Sequence, residues 1–378
     1  MKKSHDNNFD VIRLLLAALV LLCHSGRALN RSSVSIDPLD GVTLGQEDLG
    51  HVAVCGFFAL SGCLVTASWL NSDSALSYFR KRILRIYPGF IVAWLVCAFV
   101  VLPLSGIAWS EYVAMIRPGL WAVKLALLRG FGGVTAFPDN PQQALNTSLW
   151  SIPVEFGCYI LVAVLGFAKV LRSRPAALAV TAVVGVVVAA VPLLDFVQPA
   201  SGVLSPLRRP LELLASHVTL PHFYFLLGML AYLFRNELRL SAPLAIGATL
   251  ILLVAARVPP VLHVVTPFCW TYLLLYLAYL PRVPVPLIGP NLDLSYGLYL
   301  YGWPIQQFLV MWLEPSLNIW SLFALTVPLT AVAAYFSWTF VERPAQRLNR
   351  YFARTPAPAL LAQPEGQAVS NVSGLAKR

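Results

Sequence analysis

FDVIRLLLAALVLLCH, residues 9–24, is an apolar stretch that only Asp10, Arg13 and His24 interrupt. With the residues that follow it to about 29, it has the roughly 20 residues that an α-helix needs to cross a bilayer. Arg13 and His24 are eleven positions apart, and eleven steps of about 100° return a helix to within roughly 20° of its starting direction. Both side chains therefore lie on one face, about 16 Å apart along the axis. Ionisable groups inside a membrane helix are functional candidates, although a snorkelling arginine and a core histidine are the alternative.

The same apolar pattern recurs along the whole chain. Of its 378 residues, 58% are hydrophobic and 12% are charged, whereas a soluble domain has about 25% charged residues. The sequence therefore predicts an all-α integral membrane protein with about ten transmembrane helices. The expected spans are about 9–29, 50–70, 86–105, 149–168, 176–194, 218–235, 242–256, 261–280, 293–313 and 318–340.

The basic residues predict the orientation in the membrane. The net charge is +10, but the basic side chains are concentrated in short segments between apolar blocks, which is the positive-inside pattern rather than a nucleic-acid surface. With the N-terminus placed in the cytoplasm, the cytoplasmic segments hold 18 Lys and Arg residues and the outer segments hold 8. We therefore expect both termini in the cytoplasm, a lipid bilayer as the surrounding medium and no nucleic-acid partner.

The domain organisation is expected to be simple. Residues 1–347 are predicted to form one transmembrane domain, and residues 348–378 a cytoplasmic tail that is disordered because it is rich in Ala, Pro, Gly and Gln. The first 26 residues resemble a signal peptide, but the charges of Asp6, Asp10 and Arg13 favour an uncleaved first helix. The six cysteines include no CxxC pair, so neither a disulfide framework nor a metal site is predicted.

A basic segment, YFRKRILRIYP at 78–88, leads into the third span. Arg82 and Arg85 are three positions apart and share a helical face. Arginine pairs suit phosphate recognition because the planar guanidinium group forms forked hydrogen bonds. The segment indicates a phosphate site, with ordinary positive-inside charge as the alternative.

The fourth span starts with SLWSIPVE, residues 148–155, in which Glu155 is the one acidic residue of the span. A carboxylate at this position could orient an imidazole and stabilise its charge. The alternative is an acid at a helix N-terminus, favoured by the dipole, with Ser151 as a cap.

The ninth span starts with DLSYGLYLYGWP, residues 293–304. Ser295, Tyr296, Tyr299 and Trp303 give this helix several hydroxyl groups and an aromatic surface. These groups could line a channel or contact a substrate. The alternative is an aromatic belt at the membrane interface, where Trp and Tyr are enriched.

Six segments together resemble the acyltransferase-3 family of integral membrane proteins, over about residues 8 to 347. The first resembles the family's arginine-x10-histidine signature, and the last, VERPAQR, resembles its closing acid-basic-proline motif. Each segment alone is a weak signal, whereas six in order on a ten-span chain are specific. The six segments are 9–24, 54–66, 78–88, 148–159, 294–306 and 341–347.

The chain departs from the family pattern at Gly302, where many members have a histidine, so no role is carried over to that position. Some members also carry a C-terminal SGNH esterase-like domain. We expect none here because residues 348–378 are too few to form one.

The resemblance implies an O-acyltransferase that moves an acyl group, usually acetyl, from cytoplasmic acyl-CoA to a hydroxyl of a cell-surface or exported polysaccharide. It implies a multi-pass protein of the bacterial inner membrane, with acyl-CoA (acetyl-CoA) as donor substrate and no bound cofactor. The acceptor would be a glycan or a lipid-linked glycan, and polysaccharide-biosynthesis proteins are compatible further partners.

These implications assign a role to each candidate residue. Arg82 and Arg85, with Arg13, are expected to bind acyl-CoA, whose pantetheine arm is roughly as long as the rise from Arg13 to His24. His24, Glu155 and Arg13 form the expected catalytic group, in which His24, oriented by Glu155, acts as a general base or forms an acyl-imidazole. The residues expected to line the channel or contact the acceptor are Ser295, Tyr296, Tyr299 and Trp150.

Two other functions fit parts of the sequence. Ten spans, intramembrane charges and a basic cytoplasmic mouth suit a flippase or other transporter of a polysaccharide export system, although no inverted repeat supports it. A scaffold without chemistry of its own is the third possibility. An assay with labelled acetyl-CoA would separate the three functions. An acyltransferase would transfer the label to the acceptor, a transporter would produce vectorial flux without modification, and a scaffold would do neither.

Overall fold

The computed structural model describes residues 7–30, 37–197, 219–258, 261–281 and 292–354. The regular elements in this part of the chain are helices, apart from one isolated bridge between Thr135 and Ala144. Two π-helical turns, Cys97–Val101 and Trp338–Glu342, continue α-helices. The α-helices are α1 Phe9–Leu29, α2 Asp40–Thr43, α3 Leu49–Leu70, α4 Ala75–Val96, α5 Trp109–Met115, α6 Pro118–Ala126, α7 Ser151–Phe167, α8 Arg174–Val197, α9 Thr219–Leu233, α10 Ala242–Ala255, α11 Val261–Tyr279, α12 Ser295–Leu313, α13 Ile319–Ser337 and α14 Arg343–Arg354.

These helices confirm the prediction of an all-α membrane protein. Each of the ten predicted spans coincides with one of the longer helices. Within the described residues, six helical segments are long and apolar enough to cross a membrane, and three shorter helices are also apolar. The count of about ten spans and the cytoplasmic location of both termini stay predictions.

Two helices extend beyond the predicted spans for local reasons. α4 begins at Ala75 instead of residue 86 because the basic segment is itself helical, and the hydroxyl of Ser74 caps it by accepting the backbone N–H of Ser77 at 3.1 Å. The last span continues through a π-helical turn into α14, which passes residue 347 and ends at Arg354. The rest of the predicted tail, 355–378, lies outside the described residues.

Helices α3 and α9 approach each other at two glycines. A Cβ added at Gly62 of α3 would lie 1.9 Å from the carbonyl oxygen of Phe225, and one added at Gly228 of α9 would lie 1.9 Å from the carbonyl oxygen of Ala59. Small residues let membrane helices pack backbone against backbone, which strengthens their van der Waals contact. Helix α3 of this pair also packs against α1.

We expect Gly62→Ala to lower the free energy of unfolding by about 1–3 kcal/mol, because the added methyl group must push the two backbones apart. A lower midpoint of thermal unfolding in detergent would measure the effect. Gly247→Ala in α10 is the matched control, since a Cβ there meets nothing within 4 Å. Equal midpoints for the two variants would contradict this packing.

Helix α1 lies against α3, α12 and α13, so its polar face can meet α12. Gln306 of α12 is fully buried and donates hydrogen bonds to the carbonyl oxygen of Leu21 and to the hydroxyl of Ser25, both at 2.8 Å. At Gly302, a Cβ would lie 2.1 Å from Cδ2 of Leu21. The glycine that departs from the family pattern therefore lets α1 and α12 approach at the level of His24.

The connection before α7 folds back over this part of α12. The indole Nε1 of Trp303 donates a hydrogen bond to the carbonyl oxygen of Ala144 at 2.8 Å. The side-chain amide of Asn146 donates to the carbonyl oxygen of Leu300 at 3.0 Å. These bonds tie the connection to the part of α12 where Trp303 contacts His24 of α1.

Candidate active site

A cavity of about 680 Å³ lies at the N-terminal end of α1, between residues of α1, α3, α4 and α14. We call it the basic cavity, because its wall holds six basic and two acidic side chains, a net charge of +4. All three residues predicted to bind acyl-CoA, Arg13, Arg82 and Arg85, line it. The other charged residues of the wall are Lys81, Arg343, Arg347, Asp10 and Asp293.

Asp293, to which the sequence assigned no role, joins two of these arginines. Its Oδ2 accepts hydrogen bonds from Arg85 at 2.6 Å and from Arg13 at 3.3 Å, and its Oδ1 accepts the hydroxyl of Ser295 at 2.6 Å. Two guanidinium groups beside one carboxylate favour its charged form. The ionised carboxylate therefore fixes both guanidinium groups in the wall of the cavity.

We expect Asp293→Asn to lower the free energy of unfolding by about 2–4 kcal/mol, because it leaves two partly buried guanidinium groups without their counter-ion. Chemical unfolding of the purified protein would measure the loss. Asp73→Asn makes the same change at an exposed position outside the cavity, and it should have little effect. An equally small change at both positions would show that the Asp293 bridge does not stabilise the fold.

Glu342 is a second buried carboxylate close to this group. It lies in the π-helical turn that joins α13 to α14, is 1% exposed and acts electrostatically on Arg85. Its Oε1 accepts the hydroxyl of Ser337 at 2.8 Å, whereas its Oε2 has no hydrogen-bond partner among the described residues. Glu342 is the acidic residue of the VERPAQR segment, to which the sequence assigned no role. The structure places it beside the arginines of the basic cavity.

A smaller cavity of about 50 Å³ adjoins the basic cavity, since Arg13 and Ser61 line both. The hydroxyl groups of Ser151 and Tyr299 meet in its wall at 2.6 Å. Trp150, which was also predicted to line the channel, ends the 3-10 turn before α7, is 41% exposed and lies outside the lining of both cavities. The predicted residues that do line the small cavity are Arg13, Glu155, Ser295, Tyr296 and Tyr299.

Tyr159 connects the two cavities. Its hydroxyl donates a hydrogen bond to Oε1 of Glu155 at 2.6 Å. The guanidinium carbon of Arg82 lies 5.6 Å from the centre of the same ring, which is within the range of a cation–π contact. One tyrosine therefore holds both the acid of the small cavity and an arginine of the basic cavity.

His24 lies further along α1 and is not among the residues that line either cavity. It is 7% exposed, and its ring packs edge-on against the indole of Trp303, with 5.1 Å between ring centres. Its Nδ1 has no hydrogen-bond partner among the described residues. Trp303 is one turn beyond Tyr299 on α12, about 6 Å along the axis, so His24 lies just past the end of the small cavity.

The structure does not bring His24 and Glu155 into hydrogen-bond contact. The charged groups that act on His24 are those of Arg27 and Asp48, which form an ion pair at 2.8 Å. Glu155 instead accepts the hydroxyl of Tyr159. The orientation of His24 by Glu155 stays a prediction.

Near the C-terminal end of α1, Cys23, Asp37 and Asp48 place three potential ligand atoms within 4.8 Å of one another. Asp48, however, pairs with Arg27, and Oδ1 of Asp37 accepts the backbone N–H of Leu49 at 3.2 Å. These bonds give the cluster a structural role at the start of α3. The prediction that no metal binds stays a prediction.

Comparison with known proteins points to acyl transfer. The model of the acyltransferase-3 family, described as an acyltransferase domain, matches residues 6–341. The chain is 27% identical over 377 residues to "Nodulation protein 10" of Rhizobium leguminosarum bv. viciae, which covers 91% of this chain and 94% of that protein. It is 24% identical over 344 residues to "O-acetyl transferase" of Shigella phage Sf6, with 89% and 95% covered. No solved structure matches the chain.

A third relative matches a smaller part of the chain. It is "Acyltransferase MdmB" of Streptomyces mycarofaciens, 25% identical over 156 residues that cover 39% of this chain and 36% of that protein. The two longer matches and the family model each extend over most of the helical bundle.

Proposed function

We propose, from the premise that this chain belongs to the acyltransferase-3 family, that it transfers an acetyl group from cytoplasmic acetyl-CoA to a hydroxyl of a cell-surface or exported polysaccharide. The family and the relatives named as acetyl or acyl transferases make the protein a membrane-embedded O-acyltransferase. The proposal adds four points to this: the donor, the acceptor, the side of the membrane from which the donor comes, and the bacterial inner membrane as the location.

The observation that carries the donor assignment is the basic cavity together with the small cavity that adjoins it. CoA combines a strongly anionic nucleotide with a thin pantetheine arm that ends in the thioester. Arg82 and Arg85 offer planar guanidinium groups, which suit phosphate, in a wall whose net charge is +4. The arm would enter beside Arg13, which lines both cavities.

The size of the small cavity supports acetyl as the transferred group. Its volume of about 50 Å³ is enough for a few water molecules, since one water needs roughly 10–15 Å³ on this measure. A two-carbon acyl group fits such a space, whereas a long acyl chain does not. The hydroxyl groups of Ser151 and Tyr299 then lie where the thioester carbonyl oxygen could accept a hydrogen bond.

In the proposed reaction, His24 removes the proton of the acceptor hydroxyl, and the acceptor oxygen attacks the carbonyl carbon of the thioester. The carbon–sulfur bond breaks, and the CoA sulfur takes the proton from the imidazolium. Glu155, which lines the small cavity, orients His24 and stabilises its charge in this proposal. An acyl-imidazole at His24 is the alternative route, and it would leave label on the protein when no acceptor is present.

The acceptor assignment follows from the resemblance to the family, and the buried place of His24 is compatible with it. The connection before α7 is held to α12 next to this site, through Asn146 and through Trp303, whose ring contacts His24. An acceptor that approaches from that end of α1 would meet a donor that enters from the Arg13 end. The two substrates would therefore approach His24 from opposite ends of the helix.

The test uses the purified full-length protein, radiolabelled acetyl-CoA and glycan from cells that lack the protein. We expect label to appear on the glycan as an alkali-labile ester. Label that crosses a vesicle membrane without joining the glycan would instead support a transporter. If label neither joins the glycan nor crosses the membrane, a scaffold would be supported. Either of these two results would overturn the proposal.

A further inference from the structure

Two arginines of α14, Arg343 and Arg347, are exposed at the wall of the basic cavity. They are four positions apart and so are neighbours on one helix face. No described acidic side chain forms an ion pair with either of them. Gln346, which lines the same wall, has a buried Nε2 without a hydrogen-bond partner among the described residues. This wall therefore offers two guanidinium groups and a buried amide donor to an anion.

Asp293 forms ion pairs with Arg13 and Arg85 deeper in the cavity, so the carboxylate already neutralises part of their positive charge. The α4 wall provides Lys81 and Arg82, whose described hydrogen bonds are to neutral serine hydroxyls at 3.0 and 3.3 Å. The basic groups without an acidic partner thus form two pairs, one on α4 and one on α14.

An acyl-CoA molecule also presents its phosphates in two places. The diphosphate is attached directly to the pantetheine arm, whereas the 3′-phosphate is on the ribose, farther from the thioester, and carries about −1.5 to −2 charges. Arg82 contacts Tyr159, which binds Glu155 of the small cavity, so the α4 pair lies beside the path of the arm. The diphosphate then belongs to α4, which carries Lys81 and Arg82 together with Arg85, and the 3′-phosphate belongs to the α14 pair.

The geometry points to Arg343 and Arg347 as the binding site for the 3′-phosphate of acyl-CoA, so that the protein selects CoA thioesters over donors that lack this phosphate. The inference rests on the proposed function, since it names a part of the donor site. It assigns to α14 a specificity role that is separate from the chemistry at His24.

The experiment compares acetyl-CoA with 3′-dephospho-acetyl-CoA as donors for the full-length protein. We expect wild-type kcat/KM to favour acetyl-CoA by roughly 10- to 100-fold, the value of one or two hydrogen bonds to a charged phosphate. In Arg343→Gln plus Arg347→Gln the preference should fall to about two-fold or less. Lys169→Gln plus Arg172→Gln removes the same charge from exposed positions outside the cavity, and it should keep the wild-type preference.

A second measurement needs no variant. Adenosine 3′,5′-bisphosphate should inhibit wild-type protein at least roughly tenfold more strongly than AMP, which lacks the 3′-phosphate. Equal inhibition, equal use of both donors, or a preference that survives in the α14 variant would overturn this inference alone. Wild-type protein that accepts an acetyl group from neither donor would overturn the proposed function together with it.

Discussion

His24→Ala is expected to abolish acyl transfer while the protein still inserts into the membrane and folds. Loss of a general base slows a reaction by about 10²–10⁴-fold, and loss of a covalent acyl carrier would stop it. The imidazole packs against Trp303, and no described group forms a hydrogen bond with its Nδ1. Removal of the imidazole therefore breaks the ring contact with Trp303, but it breaks no described hydrogen bond of Nδ1. Transfer of radiolabel from acetyl-CoA to glycan measures the effect.

The matched control for this variant is His263→Ala in α11. His263 also has a buried Nδ1 without a described hydrogen-bond partner, and it is not among the residues that line either cavity. We expect this variant to keep its activity and both variants to unfold at similar temperatures. Full activity of His24→Ala would remove the imidazole from the mechanism.

The double variant Arg82→Ala plus Arg85→Ala is expected to raise KM for acetyl-CoA by roughly 100-fold or more. Each guanidinium group can form charge-assisted hydrogen bonds with phosphate that are worth about 1.5–3 kcal/mol. The reaction at His24 should change less, so kcat should fall by a smaller factor than KM rises. Initial rates over a range of donor concentrations separate the two parameters.

Two further variants make this result interpretable. Arg82→Ala alone leaves the bond between Arg85 and Asp293 in place, so a raised KM in that variant reports binding and not the loss of the Asp293 bridge. Arg235→Ala plus Arg239→Ala removes two exposed positive charges after α9, outside the cavity, and should leave KM unchanged. Unchanged donor affinity in the Arg82 and Arg85 double variant would exclude their binding role.

The helical bundle and the polar face of α1 were predictable from the sequence because they depend on local periodicity. Arg13 binds Asp293, just before α12, and His24 contacts Trp303 within α12. The two residues therefore face the same neighbouring helix, as their spacing of eleven positions predicts. The length of the apolar blocks was an equally local signal, and each block overlaps one of the long helices in the described part of the chain.

The parts of the site that sequence reasoning missed depend on contacts between distant segments. Asp293 bridges to an arginine 280 positions away and to another 208 positions away, and no local pattern reports such a contact. Glu342 turns inward because a π-helical turn interrupts the regular helix at Trp338–Glu342. Tyr159 and Glu155 are four positions apart in the sequence, which allows a contact on one helix face but does not identify the hydrogen bond. The contact of Tyr159 with Arg82 joins two different helices.

The central claim is that the acyl group of the donor reaches the small cavity between α1, α3, α7 and α12. Photocrosslinking tests this claim most directly. The probe is a CoA thioester with a diazirine in a short acyl group, applied to full-length protein in vesicles and mapped by mass spectrometry. We predict crosslinks within Val54–Ser61, Ser151–Glu155 or Ser295–Trp303 that excess unlabelled CoA prevents. Crosslinks confined to α10 and α11, or crosslinks that CoA does not prevent, would contradict the account.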